Sequence, residues 1–462
     1  MNTATLPQDP ALPHLAQALD ENRMAPVFAG LLQGSGAALL RCRVDRIKYR
    51  VRRNLSVAYI LELQDAQGPF TQRVAARMCS GGESARRHAQ AAAEPQQASR
   101  AGPALSHVAA LDMALHWWPN DAKLAAGRLL ADGVALQQHW LPAVAHSLGA
   151  GPCVGHRVEL AQLVPEQRVT ARVDLHTADA DGIAMRSVYA KADIDTRGPV
   201  THQIMQSLWA SAARRVGRLH LPQPLLWQPG SGLHWQAAVP GRALLDICPQ
   251  PDAAREHAVG ALVAALHATP APAAPLQTAD ALLQRLKEVL AALVQVQPAL
   301  QPRLLKMAAL LEAGLVDAAA GAGPTAPGTL HGDLHPRNVL VNGDRLALID
   351  LDNAHRGLPV LELGSWRAEA LYRGQLDGHA WAAAEAAGTA FLAGYAQAGG
   401  DVPGPRQLAW ATAWQLLCQR VWRCVVNLKP GRYALVPGLL ALTEALLAQR
   451  ELPVAALQEQ AA

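Results

Sequence analysis

The sequence predicts an α+β fold made of more than one domain. Short alternating runs, separated by Gly and Asp, occur before residue 245 and are typical of antiparallel strands. Longer segments with apolar residues at helical spacing dominate the rest of the chain. A chain of 462 residues is also too long for one hydrophobic core, so two or three domains are expected.

Composition and charge exclude several classes of function. Hydrophobic residues make up 50% of the chain and charged residues 17%, and the net charge of +4 is spread along the sequence. This predicts a soluble globular protein without a nucleic-acid partner. No apolar run reaches the roughly 18 to 20 residues of a membrane span. The six cysteines lack metal-ligand spacing and the start MNTATLPQDP lacks a signal-peptide pattern, so a cytoplasmic protein is expected.

Three strands and a helix are predicted after a first segment, up to about residue 38, that carries no recognisable chemistry. The strand patterns are Cys42–Tyr49, Ser56–Leu63 and Arg73–Arg77. Helical spacing follows at Glu83–Ala93. Together they predict a small antiparallel sheet with one helix.

The same series returns later in the sequence. Val74-Ala-Ala-Arg77 matches Val188-Tyr-Ala-Lys191 at an offset of 114 residues, and Leu115-His-Trp matches Leu233-His-Trp at an offset of 118, as a loop lengthened by four would give. We interpret this as an internal duplication covering roughly 40–130 and 155–247. The alternative is that two small sheets share a few identities by accident.

A β-hairpin is predicted within the segment His331–Asp352. Its apolar runs, Asn338–Asn342 and Leu346–Ile349, are joined by Gly343-Asp344. That dipeptide favours the positive φ angles of a tight hairpin turn.

Three oxygen-bearing side chains are expected at one end of this hairpin. Asp333 and Asn338 precede and open the first strand, and Asp350 ends the second. Such a set suits Mg²⁺, which usually takes one or two protein carboxylates together with waters and substrate phosphates.

The spacing of these three residues is also that of the kinase catalytic loop and its metal-binding Asp. The run His331-Gly-Asp-Leu-His-Pro-Arg-Asn338, followed by Ile349-Asp350, resembles the aminoglycoside phosphotransferase family of small-molecule kinases, in which HGD replaces the HRD of protein kinases. The tail from Asp350 to Leu363 continues the resemblance, with Glu362 where that family more often has Asp.

The resemblance implies a protein-kinase-like bilobal fold and an enzyme that uses ATP, or another NTP, and Mg²⁺. The acceptor would be a hydroxyl of a small polar metabolite. Asp333 would be the catalytic residue that orients the acceptor, and Asn338 and Asp350 would hold the metal. Asp352 is a second metal candidate, because alternate residues of a strand share one side.

Three domains are expected on this basis. Residues 1–140 would form a degenerate, small-lobe-like cap, residues 150–240 the nucleotide-binding small lobe, and residues 241–462 the helical catalytic lobe. The second copy is the better candidate for the working lobe because it leads directly into the catalytic segment.

Lys191 is expected on the third strand of that lobe, where the kinase lysine contacts the α- and β-phosphates. The first copy has Arg77 at the equivalent place, and a planar guanidinium does not replace a compact ammonium group. A GxGxxG motif is missing, so backbone amides of the turn Val164–Arg168, or the side chain of Arg168, would cover the phosphates.

Two further features follow from the resemblance. The predicted helix Pro199–Val216 contains no acidic residue, so Gln203 or Gln206 would have to replace the usual Glu partner of the lysine. An extended segment ending in Pro-Gly resembles the family's hinge, in which backbone groups from Gln236 to Val239 would bind the adenine.

The remaining sequence is predicted to be mainly helical. Helices are expected at 254–268 and, as a pair, within 280–314, followed by a flexible segment at 316–329. His267 is interpreted as structural, and Trp410, Trp414 and Trp422 as core residues. From Arg356 onward, nine basic residues face eight acidic ones, a balance that does not favour a polycationic acceptor such as an aminoglycoside.

Two other classes of function remain open at this point. A nucleotide-binding pseudokinase or scaffold would keep the fold without turnover, and the missing helix carboxylate favours it, whereas the presence of Asp333, Asn338 and Asp350 does not. A metal-dependent hydrolase is disfavoured, because His331, His335 and His355 do not have a recognised ligand spacing.

Overall fold

The structure, a computed structural model, describes residues 6–194, 197–321, 328–378 and 381–448. It is a mixed α+β protein, which confirms the predicted fold class. Its elements divide into two compact units, the first made of residues 1–202, 223–238 and 426–430, and the second of residues 203–222, 239–425 and 431–462. In the described ranges, no helix is long and apolar enough to cross a membrane.

The first unit contains two five-stranded antiparallel sheets. The first sheet has the order β1-β2-β3-β5-β4. Its strands are β1 (Ala38–Arg50), β2 (Asn54–Asp65), β3 (Gly68–Cys79), β4 (Leu105–Val108) and β5 (Met113–Trp117). Helices α1 (Leu15–Ala18) and α2 (Glu21–Leu31) precede it, and α3 (Glu83–Ala92) follows β3. Phe28 of α2 packs edge-on against Tyr59, with ring centroids 4.9 Å apart, so the N-terminal helices cover this sheet.

The second sheet repeats this arrangement, with the order β6-β7-β8-β10-β9. Its strands are β6 (Cys153–Val164), β7 (Arg168–Asp179), β8 (Gly182–Asp193), β9 (Pro224–Gln228) and β10 (Leu233–Ala237). Helices α4 (Ala126–Ala131), α5 (Gly133–Ala135) and α6 (Leu141–Ser147) connect the two sheets, and apolar residues of α4 and α6 share a core with β7 and β8. Helices α7 (Gly198–Trp209) and α8 (Ala212–Arg215) follow β8.

The strand register agrees with the predicted duplication over β2 and β3. Ser56 pairs with Arg77 in the first sheet, and Thr170 pairs with Lys191 in the second, both at an offset of 114 residues. The predicted match of Leu115-His-Trp to Leu233-His-Trp is wrong by two residues. Arg77 faces Ala114, whereas Lys191 faces His234, so the last strands correspond at an offset of 120. Side chains alternate with a period of two, which is why the slipped match keeps the same inward-facing pattern.

The second unit is mainly helical. Its helices are α9 (Leu244–Ile247), α10 (Ala253–His267), α11 (Ala279–Val296), α12 (Gln301–Gly321), α13 (Pro359–Asp377), α14 (Trp381–Gln397), α15 (Pro405–Gln415), α16 (Trp422–Val426) and α17 (Val436–Ala448). Its short strands are β11 (Arg242–Ala243), β12 (Gly328–Leu330), β13 (Val339–Asn342), β14 (Arg345–Leu348) and β15 (His355–Gly357). A π-helical turn, Leu416–Val421, joins α15 to α16. A buried core formed by α11, α12, α13, α15 and α17 holds the unit together.

Two expectations about this unit need correction. Residues 316–321 belong to helix α12 instead of a flexible segment, and 322–327 lie outside the described residues. Trp410 and Trp414 are buried core residues as predicted, but Trp422 is only half-buried and stacks against the guanidinium of Arg285.

Candidate active site

The loop between β12 and β13 begins with a glycine that the geometry requires. Gly332 has φ +79°, and a Cβ at this position would lie 2.1 Å from the carbonyl oxygen of Asn353. Any other residue would therefore combine backbone strain with a steric clash. The adjacent His331 is buried; its Nε2 bonds the carbonyl oxygen of Ile349 at 2.8 Å. The histidine thus fixes the loop to the strand β14 side of the hairpin.

Glu362, near the start of α13, holds the same loop through its carboxylate. Its Oε2 accepts from the backbone amide of His331 at 2.9 Å and its Oε1 from that of Gly332 at 2.8 Å. Oε2 is also 3.0 Å from Nε2 of His267, whose Nδ1 lies 2.9 Å from the hydroxyl of Tyr395. Burial would raise the pKa of Glu362, but the bond from His267 and the backbone donors outweigh it and lower the pKa to about 2. The carboxylate is therefore a permanent anchor for the loop, and His267 has the structural role predicted for it.

Asp333 follows this anchored pair and lies at the loop's surface. Its Oδ1 accepts from Nη2 of Arg423 at 2.9 Å, and its Oδ2 lies 3.9 Å from Nε2 of His335. Burial would raise the pKa of Asp333, but Arg423, His335 and Arg420 lower it below the usual range. Asp333 is thus an ionised carboxylate whose Oδ1 is hydrogen-bonded to Arg423, whereas Oδ2 has the longer contact with His335.

The hairpin after the loop forms as predicted. Val339 pairs with Leu348 and Asn342 with Arg345, across the turn Gly343-Asp344, where Gly343 has φ +60°. The strands are slightly shorter than expected, because β13 begins at Val339 and β14 ends at Leu348.

The two predicted metal ligands lie at the same end of this hairpin. Nδ2 of the buried Asn338 donates to the carbonyl oxygen of Asp333 at 2.9 Å, and the carbonyl oxygen of Asn338 accepts from the amide of Ile349 at 3.0 Å. Because its amide nitrogen is used, Asn338 has its side-chain oxygen, Oδ1, as the remaining atom that could hold a metal ion. Asp350 follows Ile349 directly and has a left-handed backbone with φ +64°.

The strand argument for Asp352 is wrong. β14 has already ended at Leu348, Asp350 is left-handed, and Asp352 lies in a 3₁₀ turn, Leu351–Asn353. A period of two therefore does not relate the two carboxylates. No group of three or more His, Cys, Asp or Glu with metal-site geometry occurs in the part of the chain that the structure describes. His331 and His355 each bond a backbone carbonyl oxygen, that of Ile349 and that of Asn353.

The predicted nucleotide-binding residues Lys191, Arg168 and Gln236 lie in the first unit, on the second sheet. Lys191 is 8% exposed and stands on β8 between Thr170 of β7 and His234 of β10. Arg168 opens β7, and its Nε donates to Oδ1 of Asp193 at 2.6 Å. Gln236 is buried on β10.

The expected hinge segment coincides with the passage between the two units, which lies between Ala238 and Val239. The backbone amides of Ala237 and Ala238 already donate to the carbonyl oxygens of Gln223 and Ser187. In the segment from Gln236 to Val239, an adenine would therefore have to use carbonyl oxygens or the amide of Val239.

The sequence did not indicate the buried histidine beside Lys191. His234 pairs with Lys191 across β8 and β10, and its ring packs edge-on against His202 at 5.3 Å. Burial, with smaller effects from His202 and Lys191, lowers the pKa of His234 to about 3. The imidazole is therefore neutral at physiological pH and does not add a second positive charge beside the lysine.

Residues 199–411, from α7 to α15, match the model of the Phosphotransferase enzyme family, abbreviated APH. This part of the chain belongs to that family. The match includes Asp333, Asn338 and Asp350 but neither Lys191 nor the first sheet. It confirms the resemblance seen in the sequence and identifies this part of the chain as a phosphotransferase of the small-molecule kinase class, with a hydroxyl group as acceptor.

Several solved structures are also similar to the chain at low identity. A choline/ethanolamine kinase family protein from Mesorhizobium loti is 16% identical, covering 63% of this chain and 89% of its own, with a TM-score of 0.43. An aminoglycoside phosphotransferase from Streptomyces rimosus, in complex with ADP and streptomycin, is 18% identical over 54% and 90%, with a TM-score of 0.39. A Plasmodium vivax ethanolamine kinase is 11% identical over 63% and 82%, also at 0.39. No curated protein matches the chain.

A cleft borders the loop that carries Gly332 and Asp333. Its volume is about 600 Å³, including the part that is open to solvent. Gly332, Asp333 and Glu362 form one wall, and the facing wall comes from α11, α15 and the π-helical turn. Arg285 and Arg420 line that facing wall. Nothing in the local sequence around either arginine pointed to this, because helix packing brings them to the loop from distant positions in the chain.

Proposed function

We propose that this phosphotransferase moves the γ-phosphoryl group of ATP to a hydroxyl of a small polar metabolite, with Mg²⁺. The observation that carries the proposal is the state of Asp333. It is an ionised carboxylate on a loop that Glu362 and His331 hold rigidly, and it faces a cleft large enough for a small acceptor.

Asp333 would accept a hydrogen bond from the acceptor hydroxyl through Oδ2, because Oδ1 is already paired with Arg423. Its lowered pKa makes it a weak base, which suits this reaction. Phosphoryl transfer passes through a loose transition state, so positioning of the hydroxyl matters more than early proton removal.

The chemistry of Asn338 and Asp350 fits a magnesium ion. Their backbones adjoin through the bond from the Ile349 amide to Asn338, and they offer one amide oxygen and one carboxylate. This matches the few protein oxygens that Mg²⁺ takes when phosphates and waters supply the rest. When bound, the ion would neutralise charge on the β- and γ-phosphates.

Lys191 would contact the α- and β-phosphates. It is buried beside the ring of His234, which is neutral and so adds no second positive charge there. Backbone groups from Gln236 to Val239 would bind the base, and the turn before Arg168 would cover the phosphates. Arg168 itself is paired with Asp193, so its contribution would be to hold this turn.

The test is ADP release from ATP with a panel of sugars, hydroxy acids and amino alcohols, with and without Mg²⁺. Acceptor-dependent release is expected in wild type, and Asp333→Ala should lower kcat by at least ~10²-fold while ATP binding stays nearly unchanged. An Asp333→Ala variant that keeps most of its activity would remove this residue from the mechanism.

A pseudokinase is the second candidate, and the ion pair between Arg423 and Asp333 is the observation that favours it. A guanidinium on Oδ1 neutralises part of the carboxylate's charge and so weakens Oδ2 as an acceptor for the substrate hydroxyl. Nucleotide binding by wild type without ADP release for any acceptor would establish this alternative.

A further inference from the structure

The cleft beside Asp333 is lined by arginines, and its carboxylates already have partners, so they are not free to attract a cation. Arg285 and Arg420 line it, and Arg423 is hydrogen-bonded to Asp333, which lines it as well. Each acidic group there already has a partner. Asp333 is paired with Arg423, and Glu362 accepts from His267 and two backbone amides.

Arg420 is almost fully buried in the π-helical turn. Its Nη1 lies 3.2 Å from Oε2 of Glu369, with 7% and 13% of the two side chains exposed. Its Nε is a buried donor without an acceptor among the described residues. Arg420 therefore keeps one unsatisfied N–H donor although its charge is paired with Glu369.

Arg285 is an arginine of the cleft without an ion pair among the described residues, and the opposite charge of Glu288 acts on it only from a longer distance. Its guanidinium stacks on the indole of Trp422 at 4.0 Å, and its Nη2 donates to the carbonyl oxygen of Cys418 at 3.0 Å. No carboxylate of the described ranges pairs with it, since the nearby Glu288 on the same helix bonds Gln284. Stacking and one backbone bond fix the guanidinium plane but leave N–H groups on Nε and Nη1 unused.

We propose that the acceptor carries an anionic group, a carboxylate or a phosphate, that binds Arg285 while the acceptor's hydroxyl lies at Asp333. This rests on the proposed function, because it uses the same cleft as the acceptor site. A fixed guanidinium plane offers parallel N–H donors that match a carboxylate or phosphate. A cationic acceptor would meet Arg285, which has no ion pair among the described residues, while the carboxylates of the cleft are already paired, so its binding is disfavoured.

The test uses four three-carbon compounds that differ in charge. These are glycerate, glycerol 3-phosphate, glycerol and 2-amino-1,3-propanediol. Binding of each to the wild-type protein with ADP and Mg²⁺ is measured by calorimetry, and turnover is measured by ADP release from ATP. At least one anionic compound should bind about tenfold or more tightly than glycerol, the scale of a charge-assisted hydrogen bond. The two anionic arms distinguish a carboxylate from a phosphate site.

Arg285→Gln should remove this preference by weakening only the anionic compounds. Arg285→Lys keeps the positive charge but lacks the planar pair of N–H donors, so it should retain part of the preference for anionic compounds. Arg406→Gln is the matched control, because Arg406 is an exposed arginine of the same unit whose only ion pair in the described chain is a 3.8 Å contact with Asp317. Melting curves of all variants separate lost folding from lost binding.

The outcomes separate the two proposals. If glycerol or the amine binds as well as the anions, if none of the four binds, or if a folded Arg285→Gln protein keeps the preference, the anionic acceptor is excluded while phosphotransfer can still occur with another acceptor. If the anions bind through Arg285 but no ADP is released, the anion site stands and the proposed reaction fails.

Discussion

Glu362→Gln tests how the catalytic loop is held. The amide would place an NH₂ group against one of the two backbone N–H groups that the carboxylate now accepts, those of His331 and Gly332. A buried carboxyl whose pKa falls from 4.5 to about 2 on folding contributes about 3 kcal/mol at neutral pH. The variant should lose about that much stability in the helical unit, and the loop should lose its fixed geometry.

The stabilisation by Glu362 should depend on pH in a defined direction. Because the folded pKa is below the unfolded one, the stabilisation is complete above about pH 5 and is lost as pH falls toward 2. Denaturant unfolding, followed by tryptophan fluorescence, should therefore show a gap between wild type and variant that is constant from pH 7 to 5. By pH 3 the gap should shrink by about half. A gap that does not change with pH would refute the assignment of the charge to Glu362.

Three other substitutions test separate parts of the structure. Glu256→Gln is the matched contrast to Glu362→Gln, because burial raises the pKa of Glu256 to about 7 despite its bond from Trp366 Nε1. Wild type should lose stability as pH rises from about 4.5 to 7, and the variant should not; equal pH profiles would contradict this. Asp350→Asn should raise the Mg²⁺ concentration needed for half-maximal activity and lower turnover, measured by Mg²⁺ titration of ADP release. Unchanged nucleotide affinity with activity that Mg²⁺ cannot restore would move the metal role elsewhere. Lys191→Ala should lower kcat/KM for ATP by about tenfold or more, whereas Arg77→Ala should mainly lower the melting temperature; the reverse ranking would place the nucleotide on the first sheet.

The hairpin was predictable because its determinants are local. Turn chemistry at Gly343 and two short apolar runs specify it without help from the rest of the chain. The prediction failed two residues beyond the strand, where Asp350 is left-handed and the alternation that would have aligned Asp352 has ended. A residue with positive φ that is neither Gly nor Asn gives little warning in the sequence.

The cleft was not predictable, because the contacts that form it join distant parts of the sequence. Arg285 meets the carbonyl oxygen of Cys418 across 133 positions of sequence, and neither segment has a motif. The carboxylate of Glu362 was noticed only as a departure from a family pattern, but its contacts explain the residue, since it reaches two loop amides and His267 at once. Long-range side-chain geometry of this kind depends on helix packing, which sequence periodicity does not fix.

The two copies of the sheet use one position in different ways. At the end of the third strand, the second copy has Lys191 beside a neutral histidine, while the first has Arg77, whose Nη1 lies 2.5 Å from Oε2 of Glu166. Glu166 belongs to the β6–β7 turn of the second sheet and has φ +57°, a strained conformation for glutamate. Its amide donates to Asp121 and its carboxylate also lies 3.7 Å from Lys123.

These contacts make the first sheet a support for the turn that would cover the phosphates. Arg77 and Glu166 are both largely buried, with 15% and 8% of their side chains exposed, so neither charge is satisfied by water if the other is removed. Lys48 of the first sheet adds a 2.7 Å bond to Gln167 of the same turn. A guanidinium committed to Glu166 is not available to a nucleotide. The position that holds Lys191 in one copy therefore holds, in the other, an arginine that stabilises the β6–β7 turn.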